Sequence, residues 1–190
     1  MELPLFPLST IVLPDGLLPL RLFEPRYINM VKDCFKNDSG FGVCLIKDGQ
    51  EAGKPAMPYP QGTTVSIVDF DQGPDGLLHI TAKGQQEFNV LSYAINQEGL
   101  TVGQVKLIDT GEATPMAEEY KELGRKLAII LQYVEPNIMY EEKLLDEPDW
   151  VCRRMLELLP LSAPDKFDIL QMPNNKSRLD ALVRLNIEFA

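Results

Sequence analysis

The sequence contains few of the residues and motifs on which common enzyme classes depend. Its only histidine, His79, lies in "GLLHITAKG", which alternates like a β-strand, so a zinc site or a histidine relay has little to be built from. No GxxxxGK[ST] phosphate loop, GxSxG elbow, CxxC pair or HExxH motif occurs. These absences exclude a P-loop nucleotide engine. We therefore expect a binding protein with no catalytic residues, no metal and no cofactor.

Long apolar runs and paired cysteines are also missing. No run of about 18 apolar residues exists, and "MELPLF", with Glu2 and Pro4, lacks the basic start and unbroken apolar stretch of a signal peptide. Cys34, Cys44 and Cys152 are odd in number, far apart and set among apolar neighbours, which predicts buried free thiols. We expect a cytoplasmic protein with no membrane partner.

Clusters of basic residues are scarce in this acidic chain. The formal net charge is −10, and the only adjacent basic pairs are Arg125-Lys126 and Arg153-Arg154, both in acid-rich helical patterns. Phosphate contacts need clustered Lys and Arg that displace counterions. The sequence therefore argues against nucleic acid as a partner.

The residue composition of the chain changes near residue 110. The earlier part is rich in Gly, Pro and β-branched residues, and the later part shows long 3.6-residue periods. This predicts an α+β protein with a β-rich subdomain over residues 1–112 and a helical subdomain over residues 113–190.

The β-rich part contains a clear hairpin. "GPDG" at 73–76 separates two alternating stretches, and "NQEG" at 96–99 precedes a third, "LTVGQVKLI". Gly84 and the apolar pair Ile67-Val68 interrupt the alternation, which predicts bulges that curl the sheet into a mostly antiparallel barrel. The many prolines of residues 3–27 belong at strand starts, edges and crossings, because proline cannot donate to a sheet ladder.

One helix is predicted inside the β-rich part, over residues 25–36. Pro25 suits its first position, and a single apolar face is formed by Tyr27, Met30, Val31, Cys34 and Phe35. "FGVCLIKDG" then predicts a buried strand, and "QEAGKPAMPYPQGT" a proline-rich loop.

Four helices are predicted in the second part. The first follows the cap pair Thr114-Pro115, the second begins around "DEPDW", the third at "SAPD", where Ser162 and Asp165 have capping-box spacing, and the fourth after "PNN". The short connections between them predict a compact helical bundle.

Four stretches in this order closely resemble the N-terminal domain of the ATP-dependent Lon protease, as found in short stand-alone bacterial proteins. They are "LPLFPLSTIVLPDGLLPLRLFEPRYINMV", "FGVCLI", "GTTVSIVDFDQGPDGLLHITAKGQQEFNVL" and "LLPLSAPDKFDILQMPNNKSRLDAL". The resemblance implies a PUA-like antiparallel β-barrel with one inserted helix, followed by a four-helix subdomain. It also implies engagement of unfolded polypeptide.

The resemblance supplies no catalytic site. This chain has no residues onto which the protease's ATP site or its Ser and Lys could be carried, so we expect no proteolysis by that mechanism. Cereblon, a related branch, binds cyclic imides in a tryptophan cage, but this chain has only Trp150. PUA relatives bind RNA, which the acidic charge disfavours.

The leading functional hypothesis is a non-enzymatic protein that binds exposed apolar segments of unfolded polypeptides, or an adaptor in proteolysis or protein quality control. A protease is a second expected partner. In "KPAMPYPQ", Met57 and Tyr59 are candidate apolar contacts, although both residues also suit packing against the barrel. In "RLFEPRY", Arg21, Glu24 and Arg26 are candidates for a polar rim, or pair with one another.

Two other classes of function stay open at this point. One is a small hydrolase or transferase that uses carboxylates in a cleft, but the acidic segments at 118–120 and 140–149 are better explained as solvated helix faces and caps. The other is a scaffold or oligomer-assembly protein whose helices contact other subunits.

Overall fold

The computed structural model describes residues 1–109, 116–134, 140 and 142–185, and these form a mixed α+β architecture. The chain divides into two compact units, residues 1–109 and residues 110–190. The first unit contains all six strands of the described residues and one helix, and the second contains helices.

The strands of the first unit form one hydrogen-bonded sheet. They are β1 (Glu2–Leu8), β2 (Leu17–Leu22), β3 (Phe41–Asp48), β4 (Met57–Gln72), β5 (Leu78–Ile95) and β6 (Thr101–Leu107). Five of them pair in a closed ring, in the order β5, β4, β3, β1, β6 and back to β5, and β2 pairs with β5.

One pair in the ring is parallel. β1 and β3 run side by side from Leu5 opposite Gly42 to Leu8 opposite Leu45, whereas the other five pairs are antiparallel. The sheet is therefore mostly antiparallel, as predicted, and the β1–β3 pair is an exception that the sequence did not indicate. The cause is the connection: β2 and the helix α1 (Pro25–Asn37) lie between β1 and β3 in the chain, and such a crossover returns the chain in the same direction.

The predicted hairpin and its bulges are confirmed. The Gly73 amide donates to the Leu77 carbonyl at the turn between β4 and β5. The pairing of these strands shifts register at two places, once next to Gly84 and once at Val68. Gly84 also donates its amide to the Gly16 carbonyl at 2.8 Å, so β5 passes close to the loop that precedes β2.

Every proline inside a strand lies where that strand has a neighbour on one side only. Pro4 faces β6 alone, Pro7 faces β3 alone, and Pro19 lies in β2, whose partner is β5. Pro58 and Pro60 precede the first β4 residue that pairs with β5. Because proline has no amide hydrogen, these positions cost the sheet no ladder hydrogen bond.

Two apolar clusters lie against the sheet. The larger contains the buried residues of α1 together with side chains from β1, β3, β4 and β5, and the smaller is built around Leu3, Leu5, Cys44, Phe88 and Val105. All three cysteines are buried and none forms a disulfide bond, as predicted.

The helix α1 confirms four of its five predicted buried positions. Tyr27, Met30, Val31 and Cys34 are buried, but Phe35 is 47% exposed, so its assignment to the buried face is wrong. At about 100° per residue, Phe35 lies at the margin of that face. It contacts the ring of Phe70 edge-on instead.

The proline-rich loop is shorter than predicted. Strand β4 already begins at Met57, so the segment 57–63 is extended and pairs in part with β3. Pro58 and Pro60 obscure the alternation of apolar and polar residues in this segment. They are tolerated because this end of β4 has a neighbouring strand on one side only.

The second unit contains four α-helices within its described residues. They are α2 (Lys121–Val134), α3 (Pro148–Leu158), α4 (Ala163–Leu170) and α5 (Asn175–Arg184), and a short 3₁₀ helix at Glu118–Tyr120 precedes α2. The Ser162 hydroxyl accepts a hydrogen bond from the Asp165 amide and donates one to the Asp165 carboxylate, which confirms the predicted cap. Thr114 and Pro115 lie outside the described residues.

A buried ion pair lies within α3. The Arg154 guanidinium, fully buried, contacts both carboxylate oxygens of Glu157, through Nε at 2.7 Å and through a terminal nitrogen at 2.9 Å. Lys166 Nζ donates to the Glu157 carbonyl at 3.0 Å, which ties α4 to α3.

Candidate functional site

A mostly apolar pocket opens between β1, β2 and the start of α1 in the first unit. Its volume is about 300 Å³. Its walls are formed by Phe6, Leu8, Thr10, Leu18, Pro19, Leu20, Arg21, Leu22, Phe23, Glu24, Tyr27 and Glu51. We call it the Phe6–Tyr27 pocket. Its size is at the lower end of the range for ligand pockets, enough for one large side chain.

Two aromatic rings and the leucines of β2 form the apolar surface. The Phe6 and Tyr27 rings stack with centroids 3.8 Å apart. Leu18, Leu20 and Leu22 alternate along β2, which brings one face of the strand to the pocket. Strand β2 pairs with β5 on one side only, so its other edge is open.

Phe23 provides an exposed aromatic side chain at the pocket. It follows the last residue of β2 and precedes α1, and 57% of its surface is exposed. Burying it against a ligand would remove apolar surface from water, the main driving force for apolar binding.

The charged residues at the pocket are held by different partners. Arg21 Nε lies 2.6 Å from the Asp75 carboxylate. The Glu24 carboxylate lies 3.0 Å from the Arg26 guanidinium. Glu51 accepts a hydrogen bond from the Ser9 amide at 2.6 Å and another from the Ser9 hydroxyl.

These charges act on the pocket floor. Burial raises the pKa of the Tyr27 hydroxyl, neighbouring Arg26 opposes this shift, and the Glu24 and Glu51 carboxylates add to it. Tyr27 therefore stays neutral well above neutral pH, which suits it to apolar contact.

The structure brings together two of the five residues that the sequence singled out. Arg21 and Glu24 line the pocket, whereas Met57 and Tyr59 lie in β4 and do not line it. Arg26 is buried, donates to the Gly99 carbonyl at 3.0 Å and lies over the Tyr27 ring at 4.6 Å, which holds the helix start in place. The predicted pairing among these charged residues is found for Glu24 and Arg26.

Other lining residues were not singled out from the sequence. Phe6, Phe23 and Glu51 come from three separate segments, and their meeting depends on the crossover between β1 and β3. The one local signal is Phe23, an aromatic residue between an alternating strand and a helix-starting proline.

Two further cavities in the first unit are more polar in character. One of about 440 Å³ is lined by residues such as Phe35, Ser66 and Gln86, and one of about 260 Å³ by residues such as Arg21, Asp71 and His79. His79 lies in β5 as predicted and approaches the Asp75 carboxylate at 3.4 Å. Neither cavity has the aromatic floor of the Phe6–Tyr27 pocket.

Metal clusters and membrane-spanning helices are absent from the part of the chain that the structure describes. In residues 1–109, 116–134, 140 and 142–185, no group of three or more His, Cys, Asp or Glu side chains is arranged to hold a metal ion. None of the helices in this part of the chain has the length and apolar character needed to span a bilayer.

Comparison with protein-family models shows to which family the chain belongs. The model of the ATP-dependent protease La (LON) substrate-binding domain matches residues 2–185. The chain belongs to the Lon substrate-binding domain family. This match concerns the substrate-binding domain of Lon and not its protease domain.

Whole Lon proteases match across most of this chain. The Lon protease of Dictyoglomus thermophilum is 26% identical over 183 residues, which are 93% of this chain and 23% of that protein. The Lon protease of Escherichia coli K12 is 23% identical over 199 residues, covering 97% of this chain and 24% of that protein. The chain thus spans about a quarter of the length of these relatives.

Solved structures show the same fold. The Lon N-terminal domain protein from Xanthomonas campestris superposes with a TM-score of 0.79 and 36% identity, and the match covers 97% of this chain and 98% of that one. The N-terminal domain of Mycobacterium avium complex Lon protease superposes with a TM-score of 0.65, 16% identity and 97% coverage of each chain. The second likeness concerns the fold alone.

Proposed function

We propose that this protein binds exposed apolar segments of unfolded polypeptides in the Phe6–Tyr27 pocket, as a non-catalytic recognition module or adaptor in proteolysis or protein quality control. The observation that carries this proposal is an open apolar pocket with an exposed aromatic, Phe23, in a member of a substrate-binding domain family. We also propose a cytoplasmic location, a protease as a second partner, no nucleic-acid partner, and a PUA-like barrel for the closed ring of strands.

The physical character of the pocket supports weak and broad binding. Its contacts are aliphatic and aromatic, so they select for apolar character more than for one sequence. An unfolded ligand loses conformational freedom when it binds, which lowers the affinity for a given contact area. Micromolar affinity with little dependence on salt is the expected behaviour for a purely apolar segment.

Titration of a labelled, permanently unfolded polypeptide tests the proposal. Phe23→Ser should weaken binding about tenfold, because it removes most of a large apolar contact. The matched control is Phe70→Ser, since Phe70 is similarly exposed but lies outside the pocket. Equal weakening by both changes, or by neither, would contradict the proposed site.

Met57 and Tyr59 provide an alternative location for the same activity. The double change Met57→Ser and Tyr59→Ser removes both apolar side chains from β4 without touching a residue that lines the pocket. Loss of polypeptide binding in this variant, with normal binding by Phe23→Ser, would move the site to β4.

The non-catalytic part of the proposal has its own test. The matched family model describes a substrate-binding domain, so the purified protein should neither hydrolyse ATP nor cleave unfolded casein above a blank. Turnover that stays proportional to protein concentration through rigorous purification would contradict it.

An open sheet edge favours assembly as a second candidate function. Asn89 is the last β5 residue that pairs with β4, opposite Gln61, and beyond it β5 pairs only with β6. The residues Leu91–Ile95 are all exposed, and Leu91, Tyr93 and Ile95 are 68%, 41% and 53% exposed. This edge has no proline and no charge, the usual protections of an open strand.

The second candidate predicts self-association through β5. Tyr93→Lys should lower the mass measured by sedimentation at high protein concentration, because a charge on an open edge opposes strand pairing. Tyr133→Lys, at an exposed position in α2, is the matched control. A single monomeric mass at all concentrations would remove this candidate.

A further inference from the structure

The charges at the mouth of the Phe6–Tyr27 pocket are unequally compensated. Arg21 is paired with Asp75, and Glu24 with Arg26, so each of these groups already has a counter-charge. Glu51 is exposed, and within the described part of the chain it accepts hydrogen bonds from Ser9 only and forms no ion pair with a Lys or Arg. The pocket therefore presents one net negative charge beside its apolar wall.

We infer that the polypeptide segment bound in the Phe6–Tyr27 pocket carries a lysine or arginine next to its apolar side chain, and that Glu51 contacts this cation. The inference rests on the proposed function, and it adds the chemical class of the preferred segment. A segment with Asp or Glu in the same place is disfavoured, because like charges would then meet at the pocket mouth.

Geometry makes this arrangement accessible to an extended chain. A pocket of about 300 Å³ holds one large apolar side chain and leaves little room for a second. Successive residues of an extended peptide are about 3.5 Å apart, so the neighbours of the inserted residue lie at the pocket mouth. The long stems of Lys and Arg can pack along apolar walls while their charged ends reach a carboxylate.

The wider charge of the first unit acts in the same direction. Residues 1–109 contain eight Lys or Arg against thirteen Asp or Glu. Such an excess attracts cationic segments and repels acidic ones at low salt, before any contact is made. The Glu24 and Glu51 carboxylates also add to the raised pKa of Tyr27, which places their field at the pocket floor.

Three labelled peptides test the inference. Each is a nine-residue Gly/Ser peptide with a central Leu-Phe pair, flanked by Lys, by Gln or by Glu. At low salt the Lys-flanked peptide should bind about two- to fivefold more tightly than the Gln-flanked peptide, the range expected for an exposed ion pair. The Glu-flanked peptide should bind most weakly. The preference should disappear near 1 M salt, where the Debye length falls to about 3 Å.

The variant Glu51→Gln separates the charge effect from the apolar contact. It should remove the preference for Lys, so that the Lys-flanked and Gln-flanked peptides bind this variant with equal affinity. Glu98→Gln is the matched control, because it removes the same charge from an exposed carboxylate that does not line the pocket. It should retain the preference.

The possible outcomes distinguish this inference from the function on which it rests. Equal affinity for all three peptides, or an unchanged Lys preference in Glu51→Gln, would overturn the inference and leave apolar binding intact. Absence of binding by all three peptides, including the Gln-flanked one, would overturn the proposed function itself. A Lys preference that Glu51→Gln abolishes and Glu98→Gln keeps would support the inference.

Discussion

The Phe6 ring stacks on the Tyr27 ring, with centroids 3.8 Å apart and planes 18° apart. Phe6 comes from β1 and Tyr27 from the first turn of α1, so the stack joins the first strand to the helix. The Arg26 guanidinium also lies 4.6 Å from the centre of the Tyr27 ring. One contact thus fixes the start of α1 and forms the floor of the pocket.

Removal of this stack should destabilise the protein. Phe6 is buried, so Phe6→Ala should lower the free energy of unfolding by about 3–5 kcal/mol, as truncation of a buried aromatic residue does. Phe35→Ala is the matched control, because Phe35 is half exposed and contacts Phe70 edge-on; it should cost about 1 kcal/mol. Urea unfolding followed by circular dichroism measures both. Similar losses would show that the stack adds nothing beyond ordinary surface contact.

Removing one partner of the buried ion pair in α3 should lower the free energy of unfolding. Arg154→Ala leaves the Glu157 carboxylate, only 7% exposed, without the guanidinium that contacts both of its oxygens. Such a change costs about 3–5 kcal/mol.

The double change Arg154→Met and Glu157→Leu tests whether the loss in Arg154→Ala comes from a buried charge without its counter-charge. It replaces both charges by apolar groups and should recover much of the loss, because no buried charge is then left unpaired. Chemical denaturation of the three variants gives the comparison. A double variant as unstable as Arg154→Ala would indicate that the geometry of the pair, and not the unpaired charge, stabilises this unit.

Gly84→Ala should destabilise the first unit. A Cβ at this position would lie 2.1 Å from the Leu13 carbonyl oxygen, which is backbone and cannot rotate away. Overpacking of this kind costs about 1–3 kcal/mol. Asn89→Ala, at an exposed position of the same strand, should change stability by less than about 0.5 kcal/mol. A melting temperature unchanged by Gly84→Ala would mean that the loop at Leu13 moves freely.

Stability should fall at alkaline pH, in part through Cys44. Burial raises the pKa of the Cys44 thiol to about 12, whereas a thiol in an unfolded chain ionises near pH 8.5. The stabilisation from keeping this thiol neutral is complete below about pH 8.5 and is lost as the pH rises towards 12. Unfolding free energies at pH 7.5, 9 and 10.5 should therefore decrease, and less steeply in Cys44→Ala. Parallel pH profiles for the two proteins would contradict the assignment.

Local signals in the sequence predicted much of the first unit. The hairpin at 73–76, the turn at 96–99 and the irregularities at Gly84 and Val68 depend on residues close in sequence, and all are found. The buried face of α1 follows from its period and fails only at Phe35, where the face meets solvent. Short-range conformational preferences were sufficient for these features.

Features that depend on distant pairing were not predicted. The parallel β1–β3 pair requires knowledge of which strands become neighbours, and composition does not contain it. The same is true of the pocket, where Glu51 reaches Ser9, 42 residues away. Met57 was assigned to a loop because Pro58 and Pro60 are strand-breaking on average, and only the missing neighbour on one side makes them compatible with β4.

Closure of the strand ring sets an order for folding during synthesis. Met1 and Val105 exchange two backbone hydrogen bonds of 2.8 Å, although they are 104 residues apart. Strand β1 therefore waits for one of its neighbours until β6 has been synthesised. Contacts so distant in sequence form slowly, and an incomplete sheet has unpaired edges that favour aggregation. A nascent chain that stalls before Leu107 would thus expose the same kind of apolar, extended segment that we propose this protein binds.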